Sequence, residues 1–368
     1  MRRSSTVLFS SVLFSLALSL FALGAAQRIT VLTHDSFALP SELLAEFTER
    51  TGIQVTFLQG GDAGEVVNRA VLTKARPLAD LLFGVDDSLL ERARSEGIFE
   101  PYVSGELGRV NGTLLLSADG LVTPVDVGYV LPNVDTAWFA DRGLALPTAL
   151  EDLAADEYRG LTVVENPASS SPGLAFLLAT VVRFGDAEAG IAATHGGYAD
   201  WLDYWAALVR NDVAVADGWS DAYYTLFTRY GGDRPVVVSY ATSPAAEVIF
   251  ADAPLAEAPT ANLQCAGCGY RQVEGIGILA GTANHAAAEA FVDFMLSRAV
   301  QSAIPLAMFV DPVVADATLP PEFELYGRVE DGVVAAALPA AVVQAHQARW
   351  LRQWTAVVLQ GRDPAGVR

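Results

Sequence analysis

The sequence predicts an α/β protein of two lobes with a ligand cleft between them. Three observations point there. Short apolar runs alternate with segments of helical spacing from residue 28 onward. One extended run, 121–130, then interrupts the alternation without a flanking helix, as a strand passing between lobes would. Polar loops stand where several strands give way to helices, and in open α/β sheets ligands bind at that edge.

Taken in order, Ile29-Thr30-Val31-Leu32-Thr33 reads as a buried strand and 39–50 as a helix ended by Gly52. Residues 53–58 follow as a second strand. The alternation repeats with a helix over 65–74, a strand over 79–83 and a helix over 88–96 ahead of Gly97. Helices of this length between strands imply parallel pairing through right-handed crossovers. After the 121–130 run come a strand at 161–164, the polar loop 166–173 and an apolar helix over 174–184. A strand over 236–240 opens into a helix after Pro244, and a strand over 272–279 carries the chain back to the first lobe. Helices are expected over 286–296 and 340–359, the second beginning behind Pro339. The candidate ligand loops are therefore 33–37, 60–64, 168–173 and 240–244, and closing on a solute would be a hinge motion absorbed by the crossover strands. The expected domain order is a signal peptide over 1–26, lobe 1 over 27–122, lobe 2 over 123–274, lobe 1 again over 275–312, and a C-terminal helical segment over 313–368 packed on lobe 2.

Arg2 and Arg3, the apolar run 7–23 and the small residues Gly24, Ala25 and Ala26 make up a secretory signal with a cleavage site before Gln27. Nothing later in the sequence is apolar for long enough to span a bilayer, so an exported protein is expected. Of 368 residues, 52% are hydrophobic, ample for two cores. Acidic residues outnumber basic ones by 43 to 23, which leaves no basic face for a nucleic acid and suits a cationic ligand. The two cysteines, Cys265 and Cys268, lack a second ligand pair for zinc and read as a small loop-stapling disulfide. His34, His195, His285 and His346 are scattered without metal spacing. Gly218-Trp219-Ser220 and, some twenty residues on, Ser239-Tyr240-Ala241-Thr242-Ser243-Pro244 gather aromatic faces and hydroxyls as a small-molecule receptor does.

These runs, with Thr33-His34-Asp35-Ser36-Phe37, Gly84-Val85-Asp86-Asp87-Ser88-Leu89-Leu90, Ser170-Ser171-Pro172-Gly173-Leu174 and Ala303-Ile304-Pro305, resemble in order and spacing the periplasmic thiamine-binding proteins of thiamine ABC transporters. The resemblance runs from about residue 28 to about 313 and is weaker beyond. It implies a two-lobed periplasmic-binding-protein fold of class II type, capture of thiamine or a thiamine phosphate in the cleft, delivery to a membrane permease, no cofactor, no catalysis and a monomer in the periplasm. Carried over residue by residue, it implies ligand contacts at Asp35, Gly61, Asp62, Ser170, Ser171, Trp219, Tyr240, Ala241, Thr242, Ser243 and Phe309. Two positions depart from the family: His34 stands where a tyrosine is common, and Phe309 where a tryptophan is expected, a weaker surface for a cation.

In this reading Trp219 and Tyr240 stack on the thiazolium and pyrimidine rings, while Asp35 and Asp62 complement the cation or accept from the exocyclic amine. Ser170, Ser171, Thr242 and Ser243 cap helices whose N-termini hold a hydroxyl or phosphate. Trp219 read alone is more readily a core residue, while Asp35 is equally a helix cap and Asp62 equally a solvated turn. Three alternatives stay open. The adjacent Tyr223-Tyr224 would suit a ferric receptor of the same broad fold, a polyamine is another cation of the right kind, and a thiamine-degrading transferase would need a cleft nucleophile.

Overall fold

The computed structural model describes residues 27–116 and 118–368. The signal peptide expected over 1–26 lies outside the described residues. Among the described residues eleven strands form one mixed sheet: β1 (Gln27–Thr33), β2 (Ile53–Gln59), β3 (Leu81–Asp86), β4 (Phe99–Glu100), β5 (Thr123–Asp135), β6 (Thr162–Glu165), β7 (Ala214–Ala216), β8 (Val236–Tyr240), β9 (Thr260–Asn262), β10 (Tyr270–Leu279) and β11 (Asp311–Pro312). Their order is β2-β1-β3-β10-β5-β8-β6-β7, with β4 beside β10 and with β9 and β11 beside β5. At one end β1 pairs in parallel with β2 and β3, and at the other β6 pairs in parallel with β7 and β8. These are the parallel sets that the strand–helix alternation predicts.

Two long antiparallel strands join them. The first part of β5 pairs with β10, and its second part, from Val130 to Val134, pairs with β8. Along β10 the residues from Tyr270 to Ile276 face β5, while those from Glu274 to Ile278 face β3. The register of β10 shifts at Gly275 on both sides. A Cβ at Gly275 would stand 2.5 Å from the Thr123 carbonyl, so only glycine allows this approach. A bulge of this kind bends the strand and re-aims the neighbouring side chain, here Glu274.

The expected elements stand within a few residues of their anticipated bounds, including the Ser171–Phe184 helix and the Ala340–Trp354 helix that starts at Pro339. All fourteen residues of the first are buried, because it lies against β5, β6, β8 and β10 where the two parallel sets meet. Several helices were not foreseen, the two longest being Trp201–Arg210 and Arg298–Met308. Trp201–Arg210 is capped by Asp200, which accepts from the Leu202 and Asp203 amides, and Arg298–Met308 contains Pro305 one turn before its end. One core gathers Ile29, Val31, Phe47, Leu81, Phe83 and Phe291, and the larger one includes Phe176, Trp205, Trp350 and Trp354. The C-terminal helix is pinned by buried Asp186, which accepts from the Trp350 indole at 2.6 Å, the Trp201 indole at 3.2 Å and Arg349 at 2.8 Å. Among the described residues no helix is long and apolar enough to cross a membrane.

Cys265 and Cys268 are joined by a disulfide, as expected. Closing so short a loop restricts the unfolded chain only modestly, by about 2 kcal/mol. Replacing both cysteines by serine is therefore expected to lower the thermal midpoint by only a few degrees, and thiol titration of the native protein should find no free thiol. A fall of twenty degrees in calorimetry would contradict the modest structural role.

Candidate ligand-binding cleft

The cleft is assembled from loops at the carboxyl ends of the parallel strands. After β1 the chain turns through His34, Asp35 and Ser36, and Asp35 locks it to the β2 loop. Its amide donates to the Gly61 carbonyl at 2.9 Å, and its carboxylate accepts from the Gly61 amide at 3.1 Å. Gly61 has φ +93°, a conformation that favours glycine. Asp62 then opens the Ala63–Leu72 helix with a reciprocal cap: one oxygen accepts from the Ala63 amide, and the Asp62 amide donates to Glu65. The second Asp62 oxygen reaches across the cleft and accepts from the Trp219 amide at 3.0 Å.

From the opposite side, Gly218-Trp219-Ser220 begins a short helical turn that continues through Ala222–Leu226. The Trp219 indole donates to the Ser239 hydroxyl at 2.8 Å and stacks on Tyr223, with centroids 4.9 Å apart. Tyr240, at the end of β8, tilts toward Trp219 at 6.4 Å. Gly128 on β5 makes room for that ring, since a Cβ there would stand 2.6 Å from it. Further contacts tie the two sides: the Gly64 amide donates to the Ser169 carbonyl at 2.9 Å, and the Ser36 and Ser220 hydroxyls meet at 3.4 Å. Together these contacts describe a cleft in its closed form.

Two small adjoining chambers remain inside, of about 150 and 40 Å³. The outer is bounded by Asp35, Gly61, Asp62, Glu65, Asp217, Trp219 and Asp221, with His34 and Ser36. The inner is bounded by Asp62, Ser171, Pro172, Trp219 and Tyr240, with His34, Glu274, Met308 and Val310. The structure thus brings together six of the expected residues, Asp35, Gly61, Asp62, Ser171, Trp219 and Tyr240. It places the other five behind the walls. Ser170 caps the Ser171–Phe184 helix. Ala241 packs on Leu131 and Val333, and Ser243 bonds Ser239 at 2.8 Å behind the tryptophan. Thr242 donates to the Phe309 carbonyl, and the Phe309 ring packs on Phe250. A larger, open groove of about 660 Å³ lies near Tyr129, Phe323 and Val329.

Glu274 was missed in the sequence, although a lone acid in the apolar run Val273-Glu274-Gly275-Ile276 was its signal. Its carboxylate lies 3.3 Å from His34 Nε2. Burial by itself would push the His34 pKa down, but the charge and hydrogen bond of Glu274, with Asp62 and Asp35 nearby, outweigh it and leave the pKa raised. Behind Glu274 the sheet register places Asp86 and Asp126 directly on either side of it. Burial, then the like charge of Asp87, pushes Asp86 up from 3.8 to about 8. Burial, then Glu274 and Asp311, pushes Asp126 well up. Each of the two retains one carboxyl oxygen without a hydrogen-bond partner.

A carboxyl whose pKa is raised by folding holds a proton that the unfolded chain has released, so its contribution is full below the unfolded value and lost as pH rises toward the folded one. His34 has the same sign. The thermal midpoint is therefore expected to fall between pH 5 and pH 8, and Asp126→Asn should flatten that fall while raising the midpoint at pH 8. A wild-type profile that rises across this window would contradict the buried acidic row.

Of the tyrosine pair, Tyr223 is buried and Tyr224 is 43% exposed. Tyr223 donates to Glu247 at 2.7 Å, and burial together with that carboxylate pushes its pKa well up, the reverse of what a phenolate ligand to iron needs. Among the described residues no cluster of histidine, cysteine and acidic side chains is arranged to hold a metal.

Two parallel half-sheets bridged by paired long strands, with a cleft of aromatic and acidic side chains between them, are the architecture of a solute-binding protein. The chain belongs to the family of bacterial extracellular solute-binding proteins, which its residues 76–325 match. It is 28% identical over 361 residues to the thiamine-binding periplasmic protein of Brucella abortus, covering 95% of this chain and 98% of that one. The thiamine-binding periplasmic protein of Escherichia coli K12 is 28% identical over 338 residues, 90% of this chain and 93% of the relative. Among solved structures, a periplasmic thiamin binding protein superposes with a TM-score of 0.75 at 26% identity, covering 90% of this chain and 96% of that one.

Proposed function

We propose that this protein is the solute receptor of an ABC importer, that it captures thiamine outside the inner membrane, and that it hands thiamine to a membrane permease without chemical change. The observation that carries the reading is the pairing of Trp219 and Tyr240 across a chamber whose charged lining is acidic. A thiazolium is a flat cation, attracted both to a ring face and to carboxylates. Asp62 and Glu274 are acceptors for the exocyclic amine, and Asp35 and Gly61 shape the loop that presents Asp62. Ser171 offers a hydroxyl at the chamber wall, while Ser170, Ala241, Thr242, Ser243 and Phe309 support the wall from behind. We divide the chain as the sequence suggests, with β5 and β10 as the crossovers between lobe 1 and lobe 2, and we place the mature protein in the periplasm as a monomer. The disulfide-bonded Cys265 and Cys268 offer no nucleophile, which favours a receptor over a transferase.

The test is tryptophan fluorescence of the purified mature protein, titrated with thiamine and in parallel with spermidine and ferric citrate. Saturable quenching by thiamine at micromolar concentration or below supports the proposal. A response to spermidine or ferric citrate with none to thiamine would leave the fold and remove the ligand.

A further inference from the structure

We propose that His34 makes capture of the cationic solute proton-linked: its imidazolium and the bound solute compete for the Glu274 carboxylate, so that binding releases one proton. This rests on the receptor reading above and deepens it at the same site. It turns on a residue at which the chain departs from its family, since tyrosine is common where His34 stands.

The imidazole has a built seat. Gly84 on β3 makes room for it, because a Cβ there would stand 2.9 Å from the ring. The neighbouring Phe83 ring lies 5.4 Å from it. From β10, Glu274 comes within 3.3 Å of Nε2, and both side chains are mostly buried. The same pair lines the inner chamber beside Trp219 and Tyr240, so a solute held between those rings lies next to it. Neither chamber has a lysine or arginine in its wall, and His34 is the one lining side chain that can become cationic near neutral pH.

The charged groups around the ring favour its proton while the chamber is empty of solute. Burial pulls the other way, but Glu274, then Asp62 at the start of the Ala63–Leu72 helix and Asp35 in the same loop, more than reverse it. Glu65, Asp217 and Asp221 are the remaining acids of the outer chamber. Beyond Glu274, Asp86 on β3 is raised to about 8 and Asp126 on β5 well up, and Tyr240 is raised above its ordinary value, so these three are neutral at pH 6.

A cationic ring entering the inner chamber changes this balance. Two positive charges a few ångströms apart repel strongly where little water screens them, and Glu274 can answer only one. The solute takes the carboxylate, and the imidazolium gives its proton to the buffer. The neutral ring keeps an N–H with which to donate to Glu274. Affinity is therefore lowest where the free protein carries a protonated His34. It rises with pH by up to about tenfold per unit and levels off above the raised His34 pKa.

Isothermal titration of the mature protein with thiamine at pH 6 and pH 8, each in two buffers of different ionisation enthalpy, counts the proton. The expected result is close to one proton released per thiamine at pH 6, fewer at pH 8, and binding several-fold tighter at pH 8. His34→Gln keeps a donor facing Glu274 and has no proton to lose, so the release at pH 6 should vanish and the affinity there should approach that of wild type at pH 8. A second reading needs no variant: in nitrogen-labelled wild type at pH 6, the His34 ring shifts should pass from the doubly protonated to the neutral form when thiamine is added. No proton released by wild type at pH 6, a proton still released by folded His34→Gln, or His34 shifts that stay doubly protonated would each overturn the proton link at His34 and leave the receptor reading standing. Failure of wild type to bind thiamine at either pH overturns both.

Discussion

Replacing Trp219 by alanine is expected to weaken thiamine binding by about 30-fold or more and to abolish the ligand-dependent fluorescence change. A cation over an aromatic face contributes about 0.5–2 kcal/mol. Burying the second ring against the indole adds to this, and 2 kcal/mol is already about 30-fold. The ring has no substitute in the cleft, because Tyr240 forms the facing wall and Tyr223 lies behind the indole, stacked on its far side. Trp219→Phe keeps a face of smaller area and should lose less than 10-fold. Ser239→Ala removes the hydroxyl that the indole donates to and leaves the ring in its packing, so it separates positioning of the ring from contact with the ligand. Five other tryptophans contribute constant fluorescence, and calorimetry alongside removes any ambiguity of signal. Thermal midpoints of all three variants show whether the cleft still folds. Binding by a folded Trp219→Ala within threefold of wild type would refute the stacking role.

The site was legible in part, and the division has physical causes. Asp62 and Trp219 stand out in the sequence because each follows a glycine at the end of a polar loop, where a strand-to-helix handover exposes side chains to the cleft. Glu274 was hidden in a strand that reads as core. Only the register shift at Gly275, a property of two neighbouring strands, turns it toward His34. The acidic row Asp86-Glu274-Asp126 was likewise invisible, because residues far apart in the chain are set side by side by sheet order. Thr242 and Ser243 read as ligand hydroxyls, yet helix geometry turns both inward, one to the Phe309 carbonyl and the other to Ser239. The strand–helix alternation of the parallel sets was readable from local periodicity, whereas the Arg298–Met308 helix was masked by its internal proline, which lies beyond the first turn and removes one rung of the hydrogen-bond ladder.

Gly64→Ala is expected to leave the fold intact, or to stabilise it slightly, and yet to weaken solute binding by at least tenfold. Gly64 lies in the first turn of the Ala63–Leu72 helix and has no positive φ, so alanine suits its backbone and should favour the helix by about 0.5–1 kcal/mol. Its one obstacle is on the other side of the cleft. A Cβ would stand 2.6 Å from the Ser169 carbonyl oxygen and 3.0 Å from that of Ala168. Both are backbone atoms, and the Ser169 hydroxyl fastens its loop to the Asp217 carbonyl at 2.6 Å, so the loop cannot yield cheaply. The clash therefore exists only when the cleft is shut, and it falls on the closed state alone. Gly64 lines neither chamber, so lost affinity would come from lost closure and not from a missing contact with the solute. Gly218→Ala is the graded comparison: its Cβ would meet the Asp62 carboxylate at 3.0 Å, the end of a side chain that can move, and a smaller loss is expected. Small-angle scattering should show wild type contracting on addition of thiamine and Gly64→Ala failing to contract at the same concentration. A Gly64→Ala protein that binds and contracts like wild type would mean that the tight approach of these two loops is not what holds the cleft closed.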